Sequence, residues 1–307
     1  MAHSPTIKQL RYLCAVARFQ HFGRAASSLH ISQSTLSTAI LELEQALGVR
    51  LVERSNKGVL LTALGEDVVE RSHAILTSVS DLMSLCDSSQ GEFSSRMRLG
   101  VIPTIAPFLL PEILSGLRQA YPQFQLYIRE DLSARLINSL KRGELDLLLL
   151  ALPYPAEGVE TLRLFDDDFF LAFPDGHEVG RMQSLRSRDL KGRELLLLED
   201  GHCMRDHALE VCKLKDSDVQ APYQASSLNT IVQMVANGIG VSLLPQMALQ
   251  ANLLSATNVK TRAFDEPNIS RQIGLMWRQK CPREDEFRKL GHFIVEQHVT
   301  DDVKQVG

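Results

Sequence analysis

Leu195 to Leu198 are four consecutive leucines, and a Glu199-Asp200-Gly201 turn follows them directly. A short, wholly apolar run bounded by turn residues reads as a buried strand of a parallel sheet. After the turn comes a helix-like segment opened by His202 and Cys203, with Cys212 nine positions beyond Cys203. In a continuous α-helix nine residues rise roughly 13 Å, and the two thiols point to opposite sides. A disulfide needs its Cα atoms within about 7 Å. These cysteines therefore pair only if the segment unwinds. Two incompatible states tied to a covalent event are what a redox switch requires.

Cys203 would lie near a helix N-terminus, where the macrodipole favours an anion. His202 and Arg205 add donors or positive charge beside it. A thiolate there can attack the O–O bond of a peroxide and become a sulfenic acid, which Cys212 can resolve as a disulfide. Two other readings stand beside this one. A cysteine of this kind is often a small buried apolar residue. His202, Cys203, His207 and Cys212 are also soft metal ligands, although their spacing fits no common zinc pattern.

From Met97 onward the chain alternates strand-like and helical runs. Strands are expected at Met97–Ile102, Gln125–Arg129 and Leu145–Leu150, with helices at Leu109–Ala120 and Ser133–Arg142 between them. This is βαβ logic. A second lobe repeats it, with strands near Asp168–Phe173, Leu195–Leu198, Gln220–Gln224 and Val241–Leu244, and helices at Ser227–Asn237 and after Pro245. Arg271–Trp277 reads as a strand returning to the first lobe, and Glu284–Thr300 as a closing helix.

The first part of the chain differs. Ile7, Leu10, Leu13, Cys14 and Ala17 have helical spacing. A short helix follows at Gly23–Leu29, then a turn at His30-Ile31. A third helix starts at Ser32, a good N-cap, with Leu36, Ile40, Leu43 and Leu47 as its buried stripe. Gln33, Ser34 and Ser37 share the opposite face, where short polar side chains can reach base edges in a major groove. The same face also reads as a solvated polar surface. Gly48 ends the helix, and Val49–Leu61 reads as a wing carrying Arg50, Arg54 and Lys57 for phosphates or the minor groove. Thr62 can cap a long helix with apolar residues at Leu64, Val68, Ile75, Val79, Leu82 and Cys86. About 25 residues span roughly 38 Å with no core to lie on, so a partner helix is expected. The polar stretch Ser88–Ser95 is the best linker in the chain.

Charge follows the same division. The chain has 307 residues and a net charge of −4. Residues 1–61 hold seven Lys/Arg against three Asp/Glu, and the rest hold 26 against 34. A basic head on an acidic body suggests DNA contact through the head. Five cysteines is an odd count in a chain of this size, which points to a reducing compartment rather than a disulfide framework. The first ten residues contain no apolar signal-peptide core, and the longest apolar run, Leu147 to Pro153, is far short of a membrane span. A cytoplasmic protein without membrane contact is expected.

The string from Phe22 to Leu61 resembles the winged helix of LysR-type transcriptional regulators. The run Glu199-Asp200-Gly201-His202-Cys203-Met204-Arg205-Asp206, with Cys212 beyond it, resembles the redox loop of the peroxide-sensing OxyR branch of that family. The resemblance implies an α/β effector domain of two Rossmann-like, periplasmic-binding-protein-like lobes. Before it come a winged helix-turn-helix and a long linker helix. The expected domains are 1–61 for DNA binding, 62–88 for the dimerising linker helix and 89–307 for redox sensing.

The resemblance also assigns residues. Cys203 becomes the peroxidatic and Cys212 the resolving cysteine. Gln33, Ser34 and Ser37 carry base and phosphate contacts, and Arg54 approaches the minor groove. Ile102-Pro103-Thr104-Ile105-Ala106-Pro107 resembles the segment that sets a threonine hydroxyl, here Thr104, beside the reactive cysteine. Arg271 is implied as thiolate stabiliser, with Asp206 orienting it, and Ser133 and His202 complete the peroxide pocket. The family usually has glycine where Ala106 stands and often threonine where Ser133 stands. Cys281 receives no role. The implied partners are promoter DNA, hydrogen peroxide, RNA polymerase, further copies of the chain as a homodimer or homotetramer, and a thiol reductant such as glutaredoxin or thioredoxin. No metal or cofactor is implied, and the activity is regulatory rather than enzymatic. Competing expectations are a LysR-type regulator that takes a small organic ligand in the interlobe cleft, a thiol peroxidase and a metal sensor.

Overall fold

The computed structural model describes residues 4–55, 58–87, 93, 95–215 and 223–305. The chain forms two compact units, one of residues 1–87 with 141–144 and one of the remainder.

In the first unit, α1 (Ile7–Phe19) begins with a capping box between Thr6 and Gln9. His21 caps α2 (Phe22–Ser28), its Nδ1 accepting from the amides of Gly23 and Arg24. Ser32 caps α3 (Gln33–Leu47), accepting from the Thr35 amide at 3.1 Å, and Gly48 ends it in the left-handed region. Leu36, Ile40 and Leu43 of α3 pack on Leu10, Leu13, Val16, Phe22 and Ala25. Leu47, expected in the same stripe, is exposed at the end of the helix. Strands β1 (Val52–Ser55) and β2 (Gly58–Leu61) form the antiparallel wing. Glu44 ties it to α3, since its Oε1 accepts from the amides of Leu51 at 2.7 Å and Val52 at 3.1 Å. Thr62 caps α4 (Ala63–Asp87) through the Gly65 amide at 2.9 Å. Along α4, Leu64, Ile75, Leu82 and Met83 are exposed. Cys14 is half-buried on α1. The side chain of Cys86, and all of Ser88–Ser95 except Phe93 and Ser95, lie outside the described residues.

The second unit is built on a nine-stranded mixed sheet. One lobe centres on β3 (Met97–Val101), β4 (Leu126–Glu130) and β5 (Leu147–Leu152), parallel to one another and connected by α5 (Ala106–Ala120) and α6 (Ser133–Lys141). The first half of β6 (Val159–Pro174) completes that side, and its second half enters the other lobe. There it joins β7 (Leu195–Leu198), β8 (Gln224–Ala225), β9 (Val241–Pro245) and β10 (Val259–Ala263), with α7 (Cys203–Val211), α8 (Leu228–Ala236) and α9 (Gln246–Gln250). The strand β11 (Ser270–Arg278) returns to pair with both β5 and β6, and α10 (Glu284–Gln305) closes the chain. Leu147–Leu150 and Leu195–Leu198 are buried throughout, as strands covered on both faces must be.

Three expectations change. The strand expected at Asp168–Phe173 is the second half of a sixteen-residue strand. Its first half carries Glu160, Arg163, Asp166 and Asp167, which hide it from an apolar pattern, and pairing with β11 holds it. β10, with the sequence Val-Lys-Thr-Arg-Ala, was not expected. The strand expected at Gln220–Gln224 is observed at Gln224–Ala225, and residues 216–222 lie outside the described residues.

Candidate functional site

Gly201 makes the turn into α7 with φ of +96°, a region costly for any side chain with a Cβ. His202 takes the N-cap position with extended backbone, and Cys203 becomes the first residue of the helix. Thr104 lies in the turn after β3, and Ser133 opens α6. Ile102, Pro103, Thr104, Leu132, Ser133, Gly201, His202 and Cys203 line a crevice at the C-terminal ends of the strands, closed too tightly to hold a water-sized sphere. A crevice this tight leaves no room for an organic effector.

Arg271 supplies the charge. It is 2% exposed, a buried guanidinium with an acceptor at each of its three nitrogens. Its Nε donates to Asp167 Oδ2 at 2.9 Å, Nη1 to Thr104 Oγ1 at 2.8 Å, and Nη2 to the Thr104 carbonyl at 2.9 Å and Met247 Sδ at 3.6 Å. Asp167 also accepts from the Met247 amide at 3.0 Å. Because Thr104 Oγ1 accepts from the guanidinium, its own hydrogen remains for another acceptor.

The ion-pair partner of Arg271 is thus Asp167, not the expected Asp206, which is exposed on α7. The reason is register. Arg271 and Asp167 are directly opposite in the antiparallel β6–β11 pair, where facing side chains meet.

The electrostatics of Cys203 also differ from expectation. The residue is 5% exposed, and burial pushes its thiol up. The Ser133 hydroxyl, the Arg271 guanidinium and the Ala151 backbone pull it down without winning, and Asp206 adds to the rise. The helix N-terminus and its cationic neighbour do not by themselves make a resting thiolate. His202 adds no positive charge, since burial holds it below the usual histidine range against a weaker pull from Glu199. Arg205 is paired with Asp200 at 3.2 Å. Ser133 Oγ lies near enough to influence the thiol, yet it is buried without a hydrogen bond of normal geometry. A hydroxyl in that condition is expensive unless something binds it.

Cys212 sits at the other end of α7 as the C-cap, buried, its thiol pushed up to about 12 by burial and then by Glu266. Both cysteines are free. A continuous helix of Cys203–Val211 holds them roughly 13 Å apart along its axis, about twice the Cα separation a disulfide allows. The helix ends in a Schellman motif, with the Leu214 amide donating to the Leu209 carbonyl at 2.9 Å and the Lys213 amide to the Glu210 carbonyl at 3.0 Å. The residue in the left-handed position is Lys213, at φ +52°, where glycine is usual. Cys281 is buried elsewhere in the core. No group of three or more metal-ligating side chains occurs among the described residues.

The sequence reading did not find Asp167 or Met247. An Asp166-Asp167-Asp168 run entering an apolar strand is the one local signal for the first. Tyr154 was missed too. Burial raises its phenol, and the electrostatic influence of Cys203 and Asp206 raises it further, which places it near the site.

On the first unit, Gln33 and Ser34 are exposed at the start of α3, and Ser37 is half-buried one turn on. Ser34 Oγ is 2.8 Å from Ser32 Oγ, joining the cap. A groove between α3 and the wing is lined by Ser37, Thr38, Leu41, Arg50 and Glu53. Arg54 lies in β1 opposite Val59, and its side chain is outside the described residues.

Residues 7–66 match the model of the bacterial regulatory helix-turn-helix protein, lysR family, and residues 90–298 match that of the LysR substrate binding domain. The chain belongs to the LysR family of bacterial transcription regulators, a family of regulators and not of enzymes. Within it, the similarity runs to the peroxide-responsive members. A probable hydrogen peroxide-inducible genes activator of Streptomyces viridosporus is 41% identical over 287 residues, covering 93% of this chain and 92% of that protein. Full-length OxyR of Pseudomonas aeruginosa, solved as a cysteine-to-aspartate variant, is 36% identical with a TM-score of 0.78 over 95% of each chain. OxyR of Corynebacterium glutamicum, solved as a cysteine-to-serine variant with H2O2 bound, is 32% identical with a TM-score of 0.67, covering 98% of this chain and 95% of that one. No helix among the described residues is long and apolar enough to cross a membrane.

Proposed function

We propose that this chain is a DNA-binding transcriptional regulator of the oxidative-stress response, switched by hydrogen peroxide through Cys203 and Cys212. One observation carries the reading. The first thiol opens a helix in a crevice ringed by the Thr104 and Ser133 hydroxyls, with Arg271 behind them, while the second thiol is held at the far end of that helix. The similarity to peroxide-inducible activators supports it.

Peroxide enters beside His202 and Thr104 and meets the unsatisfied Ser133 hydroxyl. Cys203 loses its proton, the sulfur attacks one peroxide oxygen, an S–O bond forms and the O–O bond breaks. The products are Cys203 sulfenic acid and water. Cys212 then attacks that sulfur and expels a second water as the disulfide forms. Since α7 keeps the thiols apart, the second step requires the helix to open, and the opened segment re-spaces the DNA-binding heads. Driving a two-state element from 1:99 to 99:1 takes about 5.5 kcal/mol, or roughly 120 mV on a two-electron couple. The disulfide should accordingly be more oxidising than the roughly −300 mV of structural disulfides. That leaves it within reach of a cellular thiol reductant such as glutaredoxin or thioredoxin.

Gln33, Ser34 and Ser37 read base edges and phosphates of promoter DNA, and Arg54 reaches the minor groove. The exposed Leu64, Ile75, Leu82 and Met83 of α4 favour a homodimer or homotetramer. Recruitment of RNA polymerase and a cytoplasmic location complete the proposal.

The test is mass spectrometry of thiol-bearing peptides after a sub-stoichiometric peroxide pulse. Sulfenylation at Cys203 followed by a Cys203–Cys212 link is expected. If Cys203→Ser and Cys212→Ser both keep a normal peroxide response at the promoter, the switch does not lie here.

A further inference from the structure

The buried Cys203 thiol holds its proton, and a peroxide reacts with the thiolate, so the site needs somewhere for that proton to go. His207 stands one turn further along α7, four residues from Cys203, where Cβ atoms are about 5–6 Å apart. Its side chain is buried. Nε2 lies 3.2 Å from the Pro153 carbonyl, which can only accept, so Nε2 carries the hydrogen. Nδ1 is then a lone-pair acceptor, and it is buried without a partner. The charge of Arg271 reaches both residues, lowering the pKa of the thiol and of the imidazole.

We propose that His207 is the base that takes the proton of Cys203 when peroxide reacts. The inference rests on the peroxide reading above. The Cys203 proton passes to His207 Nδ1, directly or through one water. The sulfur's electron pair forms the S–O bond as the O–O bond breaks. The departing hydroxide takes the proton back from the imidazolium, which leaves sulfenic acid, water and a neutral His207. The carbonyl of Pro153 fixes the tautomer this requires. The charges that act on the ring are Arg271 on β11 and Asp206 and Glu210 on its own helix. Burial, with Arg271 adding to it, holds the ring neutral at neutral pH, so its Nδ1 keeps the lone pair that a proton needs.

The test is the rate of Cys203 sulfenylation by hydrogen peroxide between pH 5 and 10, in the full-length protein. It is read by quenched mass spectrometry and by the emission of Trp277, the one tryptophan of the chain. His207→Gln keeps a donor for Pro153 but has no basic lone pair. It should react at least tenfold more slowly at pH 7 and converge on the unsubstituted protein at alkaline pH, where the thiol ionises by itself. Equal rates across the range would overturn the inference, and so would transfer of the whole loss to Asp206→Asn. The unsubstituted protein gives a check that survives a misfolded variant: its rate must rise along a limb below pH 7. A rate that follows only the high-pH ionisation of the thiol also overturns the inference. If no sulfenate forms at Cys203 at any pH, the peroxide reading itself fails, a result distinct from equal rates in the two proteins.

Discussion

The cap of α7 offers a direct measure of the coupling between helix and disulfide. Lys213 adopts φ of +52° in the Schellman motif that ends α7, immediately after Cys212. A side chain with a Cβ pays about 1 kcal/mol or more for that conformation, and glycine pays almost nothing. If the bridged form releases residue 213 from the cap, glycine there stabilises only the dithiol form. A gain of about 1 kcal/mol is a factor of roughly 5 in the thiol–disulfide equilibrium and about 20 mV in potential. The sign is fixed: a more stable dithiol helix makes the couple more oxidising. Lys213→Gly also removes a charge that lowers the carboxyl of Glu266, so Lys213→Ala is the proper reference, losing the charge but keeping the strain. Redox titration against glutathione buffers, read by thiol alkylation, should place Lys213→Gly about 20 mV above Lys213→Ala. Indistinguishable potentials would mean that the cap survives bridging, and that the opening of α7 does not extend to its C-terminus.

Other outcomes follow from the same geometry. Asp167→Asn leaves the Arg271 guanidinium buried without its counter-charge and should cost about 3–5 kcal/mol in urea unfolding; a change under 0.5 kcal/mol would show the pair to be dispensable. Burial pushes the Cys212 thiol up to about 12, so above the ordinary thiol range the unfolded chain releases a proton that the folded one keeps, and stability falls as pH rises. The stability advantage of the native protein over Cys212→Ser should therefore shrink between pH 8 and 10, and a constant gap would contradict the burial. Gln33→Ala should relax base preference at the operator, whereas Arg54→Ala should weaken binding to all sequences and reduce its salt dependence. Unchanged selectivity in the first variant removes Gln33 from the base-reading set.

The parts of the fold legible in the sequence are those decided within a few residues. Ser32, Gly48 and Thr62 mark helix ends by their own chemistry, and His202-Cys203 falls at the start of α7 because Gly201 can make the turn before it. What stayed hidden depends on partners far along the chain. Asp167 meets Arg271 across 104 residues, and only the register of β6 on β11 brings them together. The first half of β6 looks too charged for a strand until that pairing is known. Cys203 posed a different difficulty. Its place at a helix N-terminus was readable, but its burial was not, and burial decides the direction in which its proton equilibrium moves.

The Arg271 guanidinium is riveted at once to the turn after β3, to β6, and to a methionine in the first turn of α9. These anchors belong to both lobes. A change of charge or bulk at the neighbouring sulfur therefore strains a fastening shared by the two halves of the sensor. Chemistry on a single atom and the set of one lobe against the other are, in this architecture, adjustments of the same joint.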